Sequence, residues 1–282
     1  MASFDFIKAA VKGYQFVWLH RVELLKFSFP VVFIGVFCEF VIIQAGMEEN
    51  ILRRGLLDLP AVFAQGYFLA ELVRYAIYGE PFVLWGYTRR SKLEEFNALY
   101  VSRMQDARRR SIIYASVILF VLQMVVADVL MGLSALGAEK EIKPPPEAMS
   151  TADVLSSLPE AFIAVLILFA AFWSIRLGFL YVSLALGYGI REYLQKLRGL
   201  SSSVSLFLCS FFVMLLLVFP AEMLLKLLTI IFADLPAVWV VTTAIVREYI
   251  AIILLSVVTV ASAYGIKDMV EGPPPPRLNM FS

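Results

Sequence analysis

Four ionisable side chains lie inside long apolar stretches of the sequence, where a charge is costly. Glu39 lies past the middle of the first stretch, and Glu71 and Arg74 lie past the middle of the second. Glu71 and Arg74 are one helical turn apart, so on a helix they can pair along one face. Arg176 lies in the fourth stretch, where its long side chain can extend toward the lipid headgroups. We therefore treat these four residues as a candidate intramembrane polar site.

A second group of charges is predicted near the outer ends of the apolar stretches. Two of its members stand four residues apart at the end of the fifth stretch, and two are adjacent near the start of the sixth. A further acid stands near the end of the third stretch. This candidate outer-face cluster consists of Asp128, Glu222, Lys226, Arg247 and Glu248.

The charges in both groups allow different interpretations. In the structural one, acids and bases neutralise each other in pairs and fix how the helices pack. In the functional one, they line a cavity for a polar or zwitterionic substrate, such as a lipid headgroup. A proton relay through Glu39 and Glu71 is a third interpretation.

The residue types that most catalytic and metal sites require are sparse. The chain contains one histidine, His20, and two cysteines, Cys38 and Cys209, both within apolar stretches. We interpret the cysteines as small buried apolar side chains rather than a disulfide or metal-binding pair. Neither a G-x-S-x-G nor a G-x-x-x-x-G-K motif occurs. The sequence therefore predicts a protein that is not an enzyme and uses no cofactor or metal.

The overall composition indicates that lipid surrounds these residues. Hydrophobic residues make up 61% of the 282 residues and charged residues 17%, and the mean hydropathy is +0.82. A soluble domain is usually about half apolar and roughly a quarter charged. Helices of about 20 apolar residues cross a bilayer because they satisfy their own backbone hydrogen bonds. We predict an all-α integral membrane protein with six spans, at 27–46, 60–78, 112–133, 161–185, 203–224 and 244–266.

The positions of the basic residues predict the orientation of the spans. Of 24 lysines and arginines, sixteen fall in the N-terminal segment, the second and fourth connecting segments and the C-terminal tail. The opposite side has four, which are Arg53, Arg54, Lys140 and Lys143. Basic residues accumulate on the cytoplasmic side, so both termini are predicted there. A net charge of +1 gives no basic excess that would indicate nucleic acid.

Two segments are predicted to form amphipathic helices on the membrane surface, at 4–26 and 91–110. In the first, apolar residues recur at helical spacing, and they are Phe4, Ile7, Val11, Tyr14, Trp18, Val22 and Leu25. In the second, Ser91 and Glu94 have the spacing of a capping box. The candidate contacts of these two helices with anionic lipids are Lys8, Lys12, Arg108, Arg109 and Arg110.

One domain, residues 1–267, is predicted to contain all of these helices. The remaining residues, 268–282, include the run from Pro273 to Pro276 and are predicted to form a disordered cytoplasmic tail.

The stretch from Trp173 to Leu216 carries a family resemblance. It reads WSIRLGFLYVSLALGYGIREYLQKLRGLSSSVSLFLCSFFVMLL, with an arginine inside a span, a short basic loop and another long span. This pattern resembles poorly characterised bacterial six-span families, similar to the membrane domain of glycerophosphodiester phosphodiesterases and to the Yip family. The resemblance implies a bacterial inner-membrane protein and carries no catalytic motif.

These observations lead to two hypotheses about function. The first is a non-catalytic membrane scaffold or a subunit of an envelope assembly, with a protein partner or a second copy of the chain. The second is a transporter or lipid-handling protein that uses the intramembrane charges. Membrane lipids are expected partners under both hypotheses.

Overall fold

The computed structural model describes residues 4–47, 51–80, 82, 110–119, 121–122, 175–197, 199–231 and 236–271. These residues are almost entirely helical, and no strand occurs among them. A 3-10 turn at Ile175–Phe179 directly precedes the helix Leu180–Ala185. The helices are α1 (Phe6–Leu19), α2 (Arg21–Gln44), α3 (Ile51–Tyr78), α4 (Arg110–Leu119), α5 (Leu180–Ala185), α6 (Ile190–Lys196), α7 (Leu200–Ile231) and α8 (Pro236–Glu271).

Four of these helices are long and apolar enough to cross a membrane. Their spanning segments are Arg21–Gln44, Arg53–Tyr78, Ser201–Ile231 and Val241–Glu271. These four segments overlap the first, second, fifth and sixth predicted spans. Of the third and fourth, the structure describes only 110–119, 121–122 and 175–185, which are helical or in a 3-10 turn. The all-helical class is therefore confirmed for the described residues, with four helices able to span a membrane, and the count of six spans stays a prediction.

The ends of the helices differ from the predicted spans. The first spanning helix, α2, begins at Arg21 instead of residue 27. The second spanning helix, α3, begins at Ile51 instead of residue 60. The last helix continues to Glu271, so 268–271 are helical rather than part of a disordered tail. Polar residues at a helix end do not stop it when its backbone hydrogen bonds continue, and hydropathy alone does not detect such extensions.

The N-terminal segment forms a separate helix rather than one helix over 4–26. Asp5 caps the start of α1, because its side chain accepts a hydrogen bond from the backbone N–H of Lys8. The helix ends at His20, where the His20 backbone N–H donates to the carbonyl of Phe16. Residues 21–26 therefore belong to the first spanning helix.

Small residues let α1 pack closely against α8. Ala9, Ala10, Gly13 and Val17 are buried on one face of α1. A Cβ atom added at Gly13 would lie 2.9 Å from the Cβ of Ala261 on α8. Such close approach of small residues is a common way for helices to associate in membranes, where apolar surface by itself gives little attraction.

The apolar row predicted along the N-terminal segment lies mostly on the outside of the bundle. Ile7, Val11, Trp18 and Val22 are exposed, whereas Phe4 is buried. The predicted periodicity is therefore present, but the face that contacts the rest of the protein is the small-residue face. The exposed apolar row suits contact with lipid, with Trp18 as an interfacial residue.

The buried core lies toward one end of the bundle. This end, here called the basal end, is formed where α3 and α8 finish and α5 packs between them. Phe68, Leu72, Val182, Val260 and Ile266 are almost completely buried there. At the opposite end, called the cleft end, α2 and α7 finish and α3 and α8 begin. The half of α7 that runs toward the cleft end is largely exposed.

Replacing Gly13 by leucine is expected to lower the melting temperature of the purified protein. The larger side chain cannot fit against Ala261 and the carbonyl of Val257 without displacing α1, and overpacking of this kind typically costs about 1–3 kcal/mol. Gly178→Leu is the control, because a Cβ at Gly178 meets nothing within 4 Å. Equal melting temperatures for the two variants would show that this contact does not hold α1.

Candidate functional site

Arg74 forms a buried bidentate ion pair with Glu80. Its Nε donates to Glu80 Oε2 and its Nη2 to Glu80 Oε1, each at 2.6 Å. Gly79, with φ of 68°, ends α3 in a left-handed conformation that turns the chain and brings Glu80 back toward Arg74. Two parallel hydrogen bonds between a guanidinium and a carboxylate form one of the strongest side-chain pairs.

The same arginine connects α3 to α5. Its Nη1 donates to the carbonyl of Ala185 at 3.0 Å, at the carboxyl end of α5. A guanidinium is favourable there, because helix carboxyl ends carry partial negative charge. Tyr78 adds a second link between these elements, since its hydroxyl donates to the carbonyl of Leu186. Arg74 therefore has a structural role at the basal end.

The spacing in the sequence allows Glu71 and Arg74 to pair along one face of α3, and the structure adds Glu80 as a partner of Arg74. Glu71 is buried on α3, and Glu80 is only 4% exposed. Glu80 was missed because it follows the glycine that ends the span. A glycine directly after an apolar helix, followed by an acid, was the available signal for a chain reversal.

Arg176 also holds local structure together. Its Nη1 donates to the carbonyl of Leu197 at the end of α6, at 3.0 Å. The hydroxyl of Tyr193 donates to the carbonyl of Arg176 in return. Burial raises the pKa of Tyr193 above its usual value, which favours the neutral hydroxyl that donates this hydrogen bond. The arginine thus joins the turn before α5 to α6.

A polar cleft opens between α2, α3, α7 and α8 at the cleft end. It consists of two adjoining cavities of about 350 Å³ and about 370 Å³. Both are lined by Glu39, Ile43 and Arg247, so they meet at these side chains. The first also reaches α3, and the second reaches α7.

The polar cleft contains equal numbers of acidic and basic side chains. Among the cleft side chains that the structure describes, the only ion pair joins Glu39 Oε1 and Arg247 Nη1, which are 3.5 Å apart. It is open to the surroundings, because the Arg247 side chain is 62% exposed. The charged side chains of the cleft are Glu39, Arg54, Asp58, Lys226, Arg247 and Glu248.

Two acids of the cleft, Glu39 and Glu248, have distinct surroundings. Glu39 Oε2 is buried without a hydrogen-bond partner among the described residues. Gly35 on α2 leaves room for Glu248, since a Cβ at Gly35 would lie 2.9 Å from Glu248 Oε2. The glycine therefore allows a carboxylate from α8 to lie directly against α2.

The cleft unites residues from both predicted groups. Glu39, expected in the intramembrane site, lies with Lys226, Arg247 and Glu248 of the outer-face cluster. Glu222 is exposed on α7 and does not line either cavity. Asp128 lies outside the described residues.

Arg54 and Asp58 are the charged cleft residues outside both candidate groups predicted from the sequence. Both were assigned to a loop, because the second span was expected to begin at residue 60. The helix actually begins at Ile51, which carries both residues into the cleft. Their spacing of four residues, among leucines, was the signal that could have extended the helix.

The predicted lipid contacts are only partly described. Lys8 is exposed on α1, and Arg110 is exposed at the start of α4. Lys12 lies over the ring of Tyr264, with 4.9 Å between its Nζ and the ring centroid. Arg108 and Arg109, and the rest of the predicted helix over 91–110, lie outside the described residues.

Residues able to bind a metal ion do not assemble in the described part of the chain. No group of three His, Cys, Asp or Glu side chains there could hold a metal ion. Cys38 and Cys209 are free and buried. His20 stacks on Phe16 with ring centroids 4.5 Å apart, and its Nδ1 lies 3.0 Å from the Phe16 carbonyl oxygen.

Comparison of the chain with models of protein families, with curated proteins and with solved structures finds no match. The resemblance of residues 173–216 to bacterial six-span families therefore stays a prediction.

Replacing Arg74 by glutamine is expected to destabilise the protein strongly. The change leaves the Glu80 carboxylate buried without its guanidinium, and loss of one member of a buried pair costs about 3–5 kcal/mol. Thermal unfolding in detergent should show a clear loss for Arg74→Gln and partial recovery for Arg74→Gln combined with Glu80→Gln.

Glu192→Gln is the matched control for this change. Its ion pair with Lys196 is 3.3 Å long, but both side chains are nearly half exposed, so its loss should cost less than about 1 kcal/mol. An Arg74→Gln variant as stable as Glu192→Gln would contradict the structural role of Arg74.

Proposed function

We propose that this protein is a non-catalytic, lipid-handling membrane protein or transporter, and that its polar cleft binds a zwitterionic molecule such as a lipid headgroup. The observation that carries this proposal is the open cleft with three acids, three bases and a single long ion pair among its described side chains.

The contrast between the two ends of the bundle supports a binding role for the cleft. Burying charges inside a membrane protein is costly, and packing alone is served by close, complete pairs such as Arg74 with Glu80. The charges of the cleft instead border open space, and Glu39 Oε2 accepts no hydrogen bond from any residue that the structure describes. A polar ligand would supply the missing partner.

The composition of the cleft matches a zwitterion better than a simple ion. Arg54, Lys226 and Arg247 can bind a phosphate or carboxylate, while Glu39 and Asp58 can bind an ammonium group. A ligand with one charge would leave several groups of its own sign unfavourably close. A ligand that carries both charges neutralises both sets.

A scaffold or assembly subunit is the second candidate. One observation favours it, which is the largely exposed apolar surface of α7, including Phe211, Leu215, Phe219 and Ile230. Either lipid or a helix of a partner can cover such a surface. Mass spectrometry of the protein purified in native lipid particles separates the candidates, because a scaffold should retain a stoichiometric protein partner.

The proposal includes six spans in a bacterial inner membrane, with both termini in the cytoplasm. Its support is the bias of basic residues toward one side of the predicted spans. A reporter that is fluorescent only in the cytoplasm, fused after Ser282, is expected to give a signal. A reporter active only outside the cytoplasm should give none, and the reverse pattern would show an odd number of spans or the opposite orientation.

Asp58→Asn and Arg247→Gln are expected to weaken binding of a zwitterionic headgroup without loss of folding. Each change removes one charge that borders the cleft, and loss of one charge-assisted hydrogen bond corresponds to about tenfold in affinity. The probe is glycerophosphoethanolamine, which has both charges and no acyl chains, titrated into the detergent-solubilised protein.

Glu222→Gln is the control for these variants. It removes a charge from the half of α7 that reaches the cleft, but Glu222 itself does not line the cleft. It should bind the probe as the unmodified protein does. If the unmodified protein does not bind the probe, or if all three variants bind it equally, the polar cleft is not the headgroup site.

A further inference from the structure

Apart from the polar cleft, an almost entirely apolar cavity lies between α1, α2, α7 and α8. It has a volume of about 610 Å³, within the range of pockets that bind small molecules. Its walls include Trp18, Leu24, Leu25, Leu217 and Ile253. None of its lining residues lines the polar cleft, so the two are separate sites.

Three hydroxyl side chains in the wall of this cavity donate hydrogen bonds to backbone carbonyls. The hydroxyl of Tyr14 donates to the carbonyl of Val213 at 2.7 Å. Ser256 donates to the carbonyl of Ile252 within its own helix, and Ser28 donates to that of Leu25. Because these hydroxyls bond to carbonyls, they give an occupant little reason to be polar.

One cationic group lies at the edge of the cavity, at the junction of α1 and α2. Arg21 donates from Nη1 to the carbonyl of Trp18 at 2.8 Å and lies over the Trp18 ring. The guanidinium is exposed and forms no ion pair with any carboxylate that the structure describes. Its remaining N–H groups can therefore bind an anion.

We propose that this cavity holds an acyl chain of a membrane phospholipid, with the lipid phosphate bound by Arg21. An apolar volume with one cation at its edge matches a molecule that has a hydrocarbon chain and a single anionic group close to it. Trp18 has the amphipathic ring that favours the level of the headgroups, which agrees with a phosphate at this position. A peptide segment would bring backbone polar groups that the cavity wall does not satisfy.

Photo-crosslinking with phosphatidylglycerol that carries a diazirine in one acyl chain tests this site. The protein is reconstituted into lipid particles that contain the probe, and the modified residues are mapped by mass spectrometry. Leu217 and Ile252 in the cavity should be labelled. Ile253→Trp fills part of the cavity and should reduce this labelling about tenfold, while labelling of exposed α7 residues such as Phe219 stays unchanged.

Ile245→Trp is the matched control, because Ile245 lies on the same helix with 38% exposure, against 37% for Ile253, and does not line the cavity. The cavity residues of this variant should be labelled by the diazirine lipid as strongly as those of the unmodified protein. Arg21→Gln keeps the cavity open but should remove the preference for phosphatidylglycerol over an uncharged diacylglycerol with the same diazirine chain. Arg191→Gln on α6 should keep that preference.

The proposal is overturned if the cavity residues are not labelled in the unmodified protein, or if Ile253→Trp and Ile245→Trp label alike. An unchanged lipid preference in Arg21→Gln would overturn the role of the arginine. Binding of glycerophosphoethanolamine at the polar cleft is independent of these results, because that probe has no acyl chain. Failure at one site is therefore distinguishable from failure at the other.

Discussion

A charge inside a bundle of apolar helices must be paired closely or remain in contact with polar surroundings, because transfer into a low-dielectric interior is costly. This constraint organises both ends of the molecule. At the basal end, Arg74 meets Glu80 in a bidentate pair and also bonds the carbonyl of Ala185. At the cleft end, the charges border open cavities, and the pair of Glu39 with Arg247 is long and exposed. The same residue types thus serve packing at one end and are accessible to a ligand at the other.

Close helix contacts complement the ion pairs. The small-residue face of α1 lies against α8, with Gly13 on Ala261 and Phe4 on Gly265. Where lipid is as apolar as the side chains, dispersion and hydrogen bonds stabilise helix association, and both require close approach. Packing α1 in this way leaves its larger apolar side chains outward and places Trp18 and Arg21 beside the apolar cavity. A packing requirement on one face of the helix therefore creates a candidate lipid site at its end.

Two candidate sites of different chemistry follow from this arrangement. The polar cleft offers charges of both signs, and the apolar cavity offers hydrocarbon walls with one guanidinium at its edge. Both use α2 and α8, and the nearest lining residues on α8, Glu248 and Ile252, are about one turn apart. In the functions proposed above, the two sites bind different parts of a lipid at different places.

The sequence by itself determined the membrane class, the helical structure and the approximate positions of four spanning helices. Hydropathy reports these reliably, because a spanning helix must be apolar over its whole length. The sequence also identified Glu39, Lys226, Arg247 and Glu248 as unusual charges, since charged residues are rare in spans. Tertiary structure alone decided their partners. Glu80 reaches Arg74 through the reversal at Gly79, and Arg54 and Asp58 enter the cleft because α3 begins at Ile51. Contacts of this kind join residues distant along the chain or beyond a predicted boundary, so periodicity and spacing within one segment cannot specify them.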